Sequence, residues 1–185
     1  MSYRLRKATL EDQPVLSELI ARSSRELGAA DYSREQIDAA LRSAFGVDSA
    51  LIRDGTYFVA VTEADEVVAC GGWSRRRTLF GSDARAERDE NLLDPRTDAA
   101  KIRAFFVDPT HARRGLGRAL LERCEAEAMQ AGFSSFELMA TLPGVRLYEK
   151  SGYQAGTDVM HPLADGLTIR FVPMTKRAGA ALPAR

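Results

Sequence analysis

The spacing of apolar residues along the first half of the chain predicts a strand, two helices and a hairpin. Residues 3–7 alternate apolar and basic side chains, which is typical of a half-buried strand. Thr9 and Ser33 are each followed, three positions later, by a residue that can complete a helix cap, and apolar residues then recur at helical spacing. Two further apolar runs predict a hairpin with strands at 56–62 and 66–73 and a turn at 64–65.

A long polar segment separates these elements from a more regular second half. Residues 74–98 are dense in charge, and a loop of that length inside one domain is usually functional or mobile. Beyond it, apolar runs and helical periodicity predict strands at 102–107, 136–140, 153–160 and 167–174 and helices at 115–130 and 145–150. This order of elements predicts a mixed α/β fold whose sheet is buried on both faces.

Composition narrows the class of protein. The chain has 185 residues, of which 26 are basic and 26 acidic, and its 45% hydrophobic content is that of a globular protein. The balanced charge argues against a protein that binds nucleic acid or a membrane surface. There are two cysteines, no apolar run near the roughly 20 residues of a membrane span, and a polar start without signal-peptide features. These features predict a reduced, cytoplasmic, single-domain protein.

The strongest chemical signal is a glycine-containing turn between the fourth predicted strand and the helix that follows it. Gly115 and Gly117 open that helix, and Arg113, Arg114 and Arg118 flank them. The first turn of a helix has backbone N–H groups without partners and a partial positive charge, and glycines let an anion approach those groups. Hydrogen bonds to a charged group contribute roughly 1.5–3 kcal/mol each. The turn therefore predicts a diphosphate-binding site.

Other phosphate-binding motifs fit this turn less well. A nucleoside-triphosphate loop needs Lys followed by Ser or Thr after the glycine, where this chain has Arg118 and Ala119. A dinucleotide site of the Rossmann type has in its favour Glu137, about twenty residues downstream. Against it, Leu120 stands where the third glycine should be, and the connection 107–115 is long. From the residues alone, this alternative and an ordinary helix start with two glycines stay open.

Two motifs in the second half carry a family resemblance. Residues 107–109 (VDP) end a predicted strand and are followed by 112–117 (ARRGLG), while 147–153 (LYEKSGY) place a Tyr on a short helix before a Gly-aromatic step. Together they resemble the two hallmarks of the GCN5-related N-acetyltransferases, with Ala112 where that family usually has Gln or Arg. The turn at 165–166 and the ending at 174–176 are also similar, so the resemblance covers nearly the whole chain.

The resemblance implies a fold and a domain organisation. The fold would be α/β (α+β), with one central, mixed, mostly antiparallel sheet of six to seven strands and about four helices on its two faces. That sheet would be splayed between strands 4 and 5. One N-acetyltransferase domain would span residues 1–176, and the Ala-, Gly- and Pro-containing residues 177–185 are predicted to form a disordered tail.

The resemblance also implies an activity. Acetyl-CoA would be the co-substrate, and its acetyl group would pass to a primary amine by direct attack through a tetrahedral intermediate, without a metal. The alternative is a catalytically idle acyl-CoA-binding or sensing module on the same fold. The resemblance places cofactor binding on the backbone of the fourth strand, the glycine turn and the second motif. The residues concerned are Phe105, Phe106, Val107, Ala112, Arg113, Arg114, Gly115, Leu116, Gly117, Arg118, Thr141 and Lys150.

Tyr148, in the second motif, is the predicted general acid. The departing thiolate has a conjugate acid with a pKa of about 8.5, and a phenol with a pKa of about 10 can protonate it with a small uphill step. The alternative is a tyrosine that only packs in the core or against the cofactor. The general base is left open, with Glu137 and Asp98 as candidates beside a water chain to solvent.

The acceptor is the least specified part of this hypothesis. In the family it is usually selected by the first two helices and the loop after the third strand, so Trp73 and Arg75 are candidate acceptor contacts. The arginines at 75–77 bind an acidic group on the acceptor or simply form a solvated loop face. The predicted partner is a small-molecule or peptide amine, and the protein is predicted to be a monomer or homodimer. His161 has no second ligand at metal spacing, and Cys70 has no His partner for a nucleophilic role.

Overall fold

An eight-stranded sheet organises the chain in the computed structural model, which describes residues 2–85 and 89–179. Its strands are β1 (Arg4–Lys7), β2 (Tyr57–Val61), β3 (Val67–Ser74), β4 (Ala100–Val107), β5 (Ser135–Thr141), β6 (Gln154–Ala155), β7 (Val159–Pro162) and β8 (Thr168–Arg177). Their order across the sheet is β1-β2-β3-β4-β5-β8-β6, and β7 also pairs with β8.

Five α-helices pack on this sheet within the described residues. They are α1 (Gln13–Leu27), α2 (Arg34–Ala40), α3 (Ser49–Arg53), α4 (Leu116–Gln130) and α5 (Val145–Lys150). Thr9 forms its predicted capping box on a 3-10 turn that leads into α1, and Ser33 caps α2 by accepting a hydrogen bond from the Gln36 N–H at 3.2 Å. The prediction of about four helices omits α3, because five residues are too few to show a helical period.

The sheet is mixed, and its two middle strands part. All pairings are antiparallel except that of β4 with β5, which is parallel and limited to Ala100 with Phe136 and Lys101 with Glu137. Beyond Lys101 the carboxyl ends of the two strands have no shared ladder. This confirms the predicted mixed sheet, splayed between strands 4 and 5.

The sheet has more strands than predicted because the run at 153–160 is broken. Ala155 of β6 faces Met174 of β8, and Val159 of β7 faces Phe171. Between these two pairs, residues 156–158 lie opposite residues 172–173 of β8, so one residue has no counterpart. An extra residue of this kind interrupts the ladder, as a bulge does. The single strand predicted from the apolar pattern is two short ones.

Apolar helix faces bury the sheet on both sides. α4 places Leu120 and Cys124 against one face, and α1 places Leu16 against the other. Both cysteines are free and buried, and burial raises the pKa of the Cys124 thiol and raises that of Cys70 to about 12. Neither thiol therefore ionises near neutral pH, which agrees with a packing role.

The segment after β3 is a paired arm, formed by residues 75–85 and 89–93. Its two sides exchange backbone hydrogen bonds, among them one from the Arg77 N–H to the Asn91 carbonyl at 3.0 Å. Its tip docks on the connection between α2 and α3, where the Asp83 N–H donates to the Val47 carbonyl at 2.9 Å. The described part of the loop predicted at 74–98 therefore pairs with itself and bonds to the connection between α2 and α3.

The end of the described chain departs from the prediction by a few residues. β8 ends at Arg177, one residue into the predicted tail, and the Ala178 N–H donates to the Ser134 carbonyl at 2.8 Å. The rest of that tail, 180–185, lies outside the described residues. No helix in the described part of the chain is long and apolar enough to cross a bilayer. The same residues contain no group of three His, Cys, Asp or Glu side chains that could hold a metal.

Candidate active site

The divergence of β4 and β5 opens a cavity of about 390 Å³, which we call the main cavity. Its walls come from α1, the end of β4, the turn before α4, and the segment from Thr141 to Lys150. Tyr148 lines it, as do all the residues predicted to bind the cofactor except Arg114. Those lining residues are Phe105, Phe106, Val107, Ala112, Arg113, Gly115, Leu116, Gly117, Arg118, Thr141 and Lys150.

A bulge in β4 sets the wall nearest the splay. The register against β3 shifts between Cys70 and Gly72, and Ala104 takes a left-handed conformation with φ of 58°. A non-glycine residue in that region is strained by roughly 1–3 kcal/mol, so its surroundings must hold it there. The hydroxyl of the fully buried Tyr57 donates to the Ala104 carbonyl at 3.2 Å. Tyr57 thus fixes the strand at the point where it bends toward the cavity.

The Phe105 ring connects this bulge to Tyr148. A Cβ atom at Gly71 would lie 2.8 Å from the Phe105 ring, so only glycine on β3 leaves room for that ring. The Phe105 ring in turn packs edge-on against Tyr148, with 6.3 Å between ring centroids.

One backbone donor of β4 is already engaged. The Val107 N–H donates to the hydroxyl of Ser23 on α1 at 3.3 Å. Of the three β4 residues expected to present backbone groups to a ligand, Val107 therefore does not offer a free N–H. Ser23 lines the main cavity itself and was not singled out from the sequence, because a serine inside a helix carries no local signal for such a contact.

The turn before α4 forms the cradle that the glycines predict. Arg113 and Gly115 both take left-handed conformations, with φ of 64° and 82°. The Ala119 N–H makes the first bond of the helical ladder, to the Gly115 carbonyl at 3.0 Å. The N–H groups of Leu116, Gly117 and Arg118 precede it and so have no intrahelical acceptor. These three donors border the main cavity.

The charged side chains that line this cavity are all cationic among the described residues. Arg113, Arg118, Arg146 and Lys150 contribute them, and Arg118 also pairs with Glu122 one helical turn away at 2.7 Å. Four cations around three N–H donors match a ligand with several phosphate charges. Arg146 was missed from the sequence, although it lies just before the second motif.

Arg114 was predicted to bind the cofactor, but it faces another part of the surface. Its guanidinium donates to the Tyr3 hydroxyl at 3.2 Å and to the Thr110 carbonyl at 3.3 Å. The left-handed conformation of Arg113 reverses the chain between the two side chains. Of the two adjacent arginines, only Arg113 therefore lines the cavity.

Tyr148 is buried at the point where β4 and β5 part. No described residue hydrogen-bonds to its hydroxyl, and its side chain lines the main cavity. Burial, and secondarily the nearby Cys124, raise the pKa of Tyr148 above its ordinary value. The phenol is therefore protonated at neutral pH and available as a donor, although proton transfer from it is more uphill than a pKa of about 10 implies.

The two carboxylates considered as bases lie away from the cavity. Glu137 forms an ion pair with Lys101, where β4 and β5 still pair, four residues or about 13 Å along the strand from Thr141. Asp98 accepts a hydrogen bond from the Asp94 N–H at 2.8 Å, before β4 begins. Neither position supports a role as general base, because both residues lie near the end where β4 and β5 are still paired, away from the cavity.

Trp73 and Arg75 were predicted to contact the acceptor, and the strand register removes both from the site. Trp73 is the register partner of Ile102 on the neighbouring strand β4, and its buried ring packs against Phe133 with 6.0 Å between ring centroids. β3 runs antiparallel to β4, so its last residues lie at the opposite end from Val107. Arg75 is exposed just beyond that end.

Tyr32 connects, through its hydroxyl, the segments of the chain that line the main cavity nearest β8. It was not predicted from the sequence as a site residue. Its hydroxyl donates to the Arg170 carbonyl at 2.7 Å and accepts from the Leu142 N–H at 2.8 Å. Burial raises the pKa of Tyr32 to about 12, so the phenol keeps the proton that it donates. Its partners lie more than a hundred residues away in sequence, where no local pattern could reveal them.

A second, smaller cavity of about 60 Å³ adjoins the first. The two share Phe45, Phe105, Phe106, Thr141 and Tyr148. The remaining walls come from the connection after α2, the arm, the middle of β4, β5 and β8. Tyr148 therefore lines both a large cavity with cationic side chains and a small cavity beside it.

Comparison with known protein families agrees with this arrangement. The sequence matches the Acetyltransferase (GNAT) family over residues 16–153, which include most of α1, both motifs and the splayed strands. The chain belongs to this family. A search of curated protein sequences gave no match.

Solved structures share the GNAT fold of this chain along its whole length. A GCN5-related N-acetyltransferase from Rhodopseudomonas palustris has 23% identity and a TM-score of 0.69, with 96% of each chain covered. PaiA N-acetyltransferase from Thermoplasma acidophilum, in complex with coenzyme A, has 16% identity and a TM-score of 0.65, covering 96% of this chain and 99% of that one. YncA, a putative acetyltransferase from Salmonella typhimurium with acetyl-CoA, has 17% identity and a TM-score of 0.63, covering 100% and 99%.

The donor set of this GNAT chain fits coenzyme A. Its N–H donors and cations line the same cavity, as the phosphates of the ligand require. A Cβ atom at Gly117 would lie 3.0 Å from Leu147, so a side chain there would crowd the cradle. The end of β4 and Tyr148 line this cavity as well, and the thiol end of an extended ligand would lie beside them.

Proposed function

We propose that this protein transfers the acetyl group of acetyl-CoA to a primary amine. The observation that carries the proposal is the main cavity, which joins the N–H donors and cations at the start of α4 to the buried Tyr148 at the splay. Within the part of the chain that the structure describes, no residue hydrogen-bonds to the Tyr148 hydroxyl. The coenzyme A and acetyl-CoA in two structures of the same fold support it. We propose further that residues 1–176 act as one catalytic domain in the cytoplasm.

The residues at the start of α4 would bind the diphosphate. The N–H groups of Leu116 and Gly117 are the donors, and Arg113 and Lys150 add charge from the two sides of the cavity. The Phe105 backbone, which has no register partner on β3, would align the extended arm of the ligand as an added strand is aligned, whereas Phe106 pairs with Cys70 on β3 and does not present its N–H to the ligand. The Val107 N–H does not take part, since Ser23 already accepts from it.

Tyr148 is the proposed general acid. When bound, acetyl-CoA supplies an activated acyl group on a thioester. In the net reaction a C–N bond to the amine forms and the C–S bond breaks, and the Tyr148 hydroxyl donates its proton to the departing sulfur. The proton lost by the amine returns through water, which restores the phenol. No carboxylate lines either cavity among the described residues, so of the alternatives left open for the base this route takes the water chain.

The amine would approach from the smaller cavity. Tyr148 and Phe105 line both cavities, so a nitrogen at their junction faces the thioester end of the main cavity. An acceptor placed there does not compete with coenzyme A for space. This assignment replaces the one built on Trp73 and Arg75.

The test is release of free coenzyme A, followed with a thiol reagent over a panel of primary amines. We expect turnover with the parent protein. General acid catalysis contributes typically about 10²–10⁴-fold, so Tyr148→Phe should lower kcat by at least about 100-fold while acetyl-CoA affinity by calorimetry changes little. Tyr153→Phe, a neighbouring buried tyrosine outside the cavity lining, is the matched control and should keep kcat.

Two results would contradict the proposal. Tight acetyl-CoA binding with no release of coenzyme A over the whole panel would favour the idle binding module. Stabilisation of the fold by NADH and not by acetyl-CoA would favour the dinucleotide site, because a ligand raises the melting temperature only of the state it binds.

A further inference from the structure

The smaller cavity has an aromatic lining. Five phenylalanine rings contribute to it from four different parts of the chain, together with aliphatic side chains on the arm and on β5. The rings are those of Phe45, Phe80, Phe105, Phe106 and Phe171. They contact one another edge-on, as Phe45 does Phe106 at 6.0 Å and Phe80 does Phe171 at 5.4 Å between centroids. Such a surface favours an apolar or aryl group over a hydrated one.

The charge around this cavity is positive or neutralised. Arg103 is the one charged residue among its described lining residues, and it is paired with the buried Asp48 at 2.6 Å and donates to the Gly81 carbonyl at 3.0 Å. Outside the lining, the Arg85 guanidinium stacks over the Phe80 ring at 4.5 Å from its centroid. A second ammonium group on the acceptor would lose its water here and meet like charge.

The volume limits the size of the group that can enter. A water-sized group needs about 10–15 Å³ of such volume, so about 60 Å³ holds roughly four to six of them. Since the reacting nitrogen must lie at the junction beside Tyr148, this volume is what the substituent of the amine can fill. A butyl chain or a single six-membered ring is of that size.

We infer that the acceptor is a small monoamine with an apolar or aryl substituent, and not a polyamine or another polycationic amine. The inference rests on the proposed function and on the aromatic lining, charge and volume of the smaller cavity. It assigns to Phe45, Phe80 and Phe171 the role of selecting the substituent, while Tyr148 and the main cavity serve the transfer itself.

A matched pair of amines tests the inference. Butylamine and 1,4-diaminobutane have the same carbon chain and differ by one ammonium group, and benzylamine supplies the aryl case. We expect coenzyme A release with butylamine and benzylamine, and a kcat/KM for 1,4-diaminobutane lower than for butylamine by at least about tenfold. An equal or higher kcat/KM for the diamine would overturn the inference and leave the proposed function standing. Release from none of the amines would overturn both.

A pair of variants ties the selectivity to this cavity. Leu79 on the arm lines it without contributing to the main cavity. Leu79→Glu adds a carboxylate that can pair with the second ammonium, and Leu79→Gln has the same shape without the charge. We expect the ratio of diamine to monoamine kcat/KM to be about three- to fivefold higher in Leu79→Glu than in Leu79→Gln. Equal ratios, with acetyl-CoA affinity intact in both variants, would place the acceptor elsewhere.

Discussion

Tyr57→Phe removes a single hydroxyl that holds the bulge in β4. Tyr57 is fully buried, and its hydroxyl donates to the carbonyl of Ala104, the residue with a left-handed backbone. Without it, that carbonyl still faces the Cys70 thiol, a weak donor whose sulfur lies 3.8 Å away. The substitution changes no apolar volume, so its effect reports on the hydrogen bond.

The size of the effect follows from the burial of the acceptor. A buried polar group left without its partner costs about 1–3 kcal/mol, so the free energy of unfolding should fall by that amount. The left-handed conformation of Ala104 stores roughly 1–3 kcal/mol of strain, and the strand can relax once the restraint is lost. Because Phe105 and Phe106 follow the bulge directly, we also expect weaker acetyl-CoA binding.

Urea denaturation and calorimetry measure the two consequences separately. Tyr153→Phe is the control, since the Tyr153 hydroxyl donates to the buried Glu125 carboxylate at 2.9 Å, outside the main cavity. We expect both variants to lose stability and only Tyr57→Phe to lose acetyl-CoA affinity. Two results would refute the claim that this hydrogen bond sets the direction of β4 after the bulge. One is a Tyr57→Phe protein with the same urea midpoint of unfolding as the parent, and the other is a destabilised variant that binds acetyl-CoA with unchanged affinity.

Three further predictions concern the cradle and the arm. Arg113→Ala should weaken acetyl-CoA binding about three- to tenfold at low salt, and less at high salt, whereas Arg114→Ala should not; equal losses in calorimetry would contradict the orientations described above. Gly117→Glu should abolish binding by placing bulk and negative charge beside Leu147, and retained affinity would argue against the cradle. The hydrogen bonds and charge of Arg76 lower the pKa of Asp54. The pair therefore stabilises the fold fully at pH values above about 3.9, the ordinary pKa of the carboxyl, and this contribution is lost as the pH falls through the lowered pKa. Asp54→Asn should therefore be less stable than the parent at pH 7 in urea, with the difference closing below about pH 4; a difference that stays constant down to pH 2 would contradict the assignment.

The fold was largely predictable from the sequence because its main elements have a clear period or a clear cap. The helix at 145–150 has the bounds predicted, and Gly115 and Gly117 open α4 as expected. The missed features are those with no local signal. α3 spans five residues, and Ala104 takes a conformation that its residue type does not announce.

The candidate site divides in the same way. Tyr148 and the glycine turn each belong to a short local motif, and Tyr148 and every predicted residue of the turn except Arg114 line the main cavity. Glu137 and Trp73 were misplaced because each lies on a strand, and only the register decides which end of the sheet a strand residue occupies. Tyr32 and Ser23 were missed because their partners belong to distant elements. The hydrogen bonds of Tyr32 and Ser23 join residues far apart in sequence, whereas the N–H donors proposed for phosphate come from one short segment.

The most direct test of the central claim is a crystal structure with acetyl-CoA bound. We expect the diphosphate within hydrogen-bond distance of the Leu116 and Gly117 N–H groups, and the thioester sulfur within hydrogen-bond reach of the Tyr148 hydroxyl. A diphosphate bound away from the start of α4, or a sulfur on the far side of the cavity from Tyr148, would contradict the account.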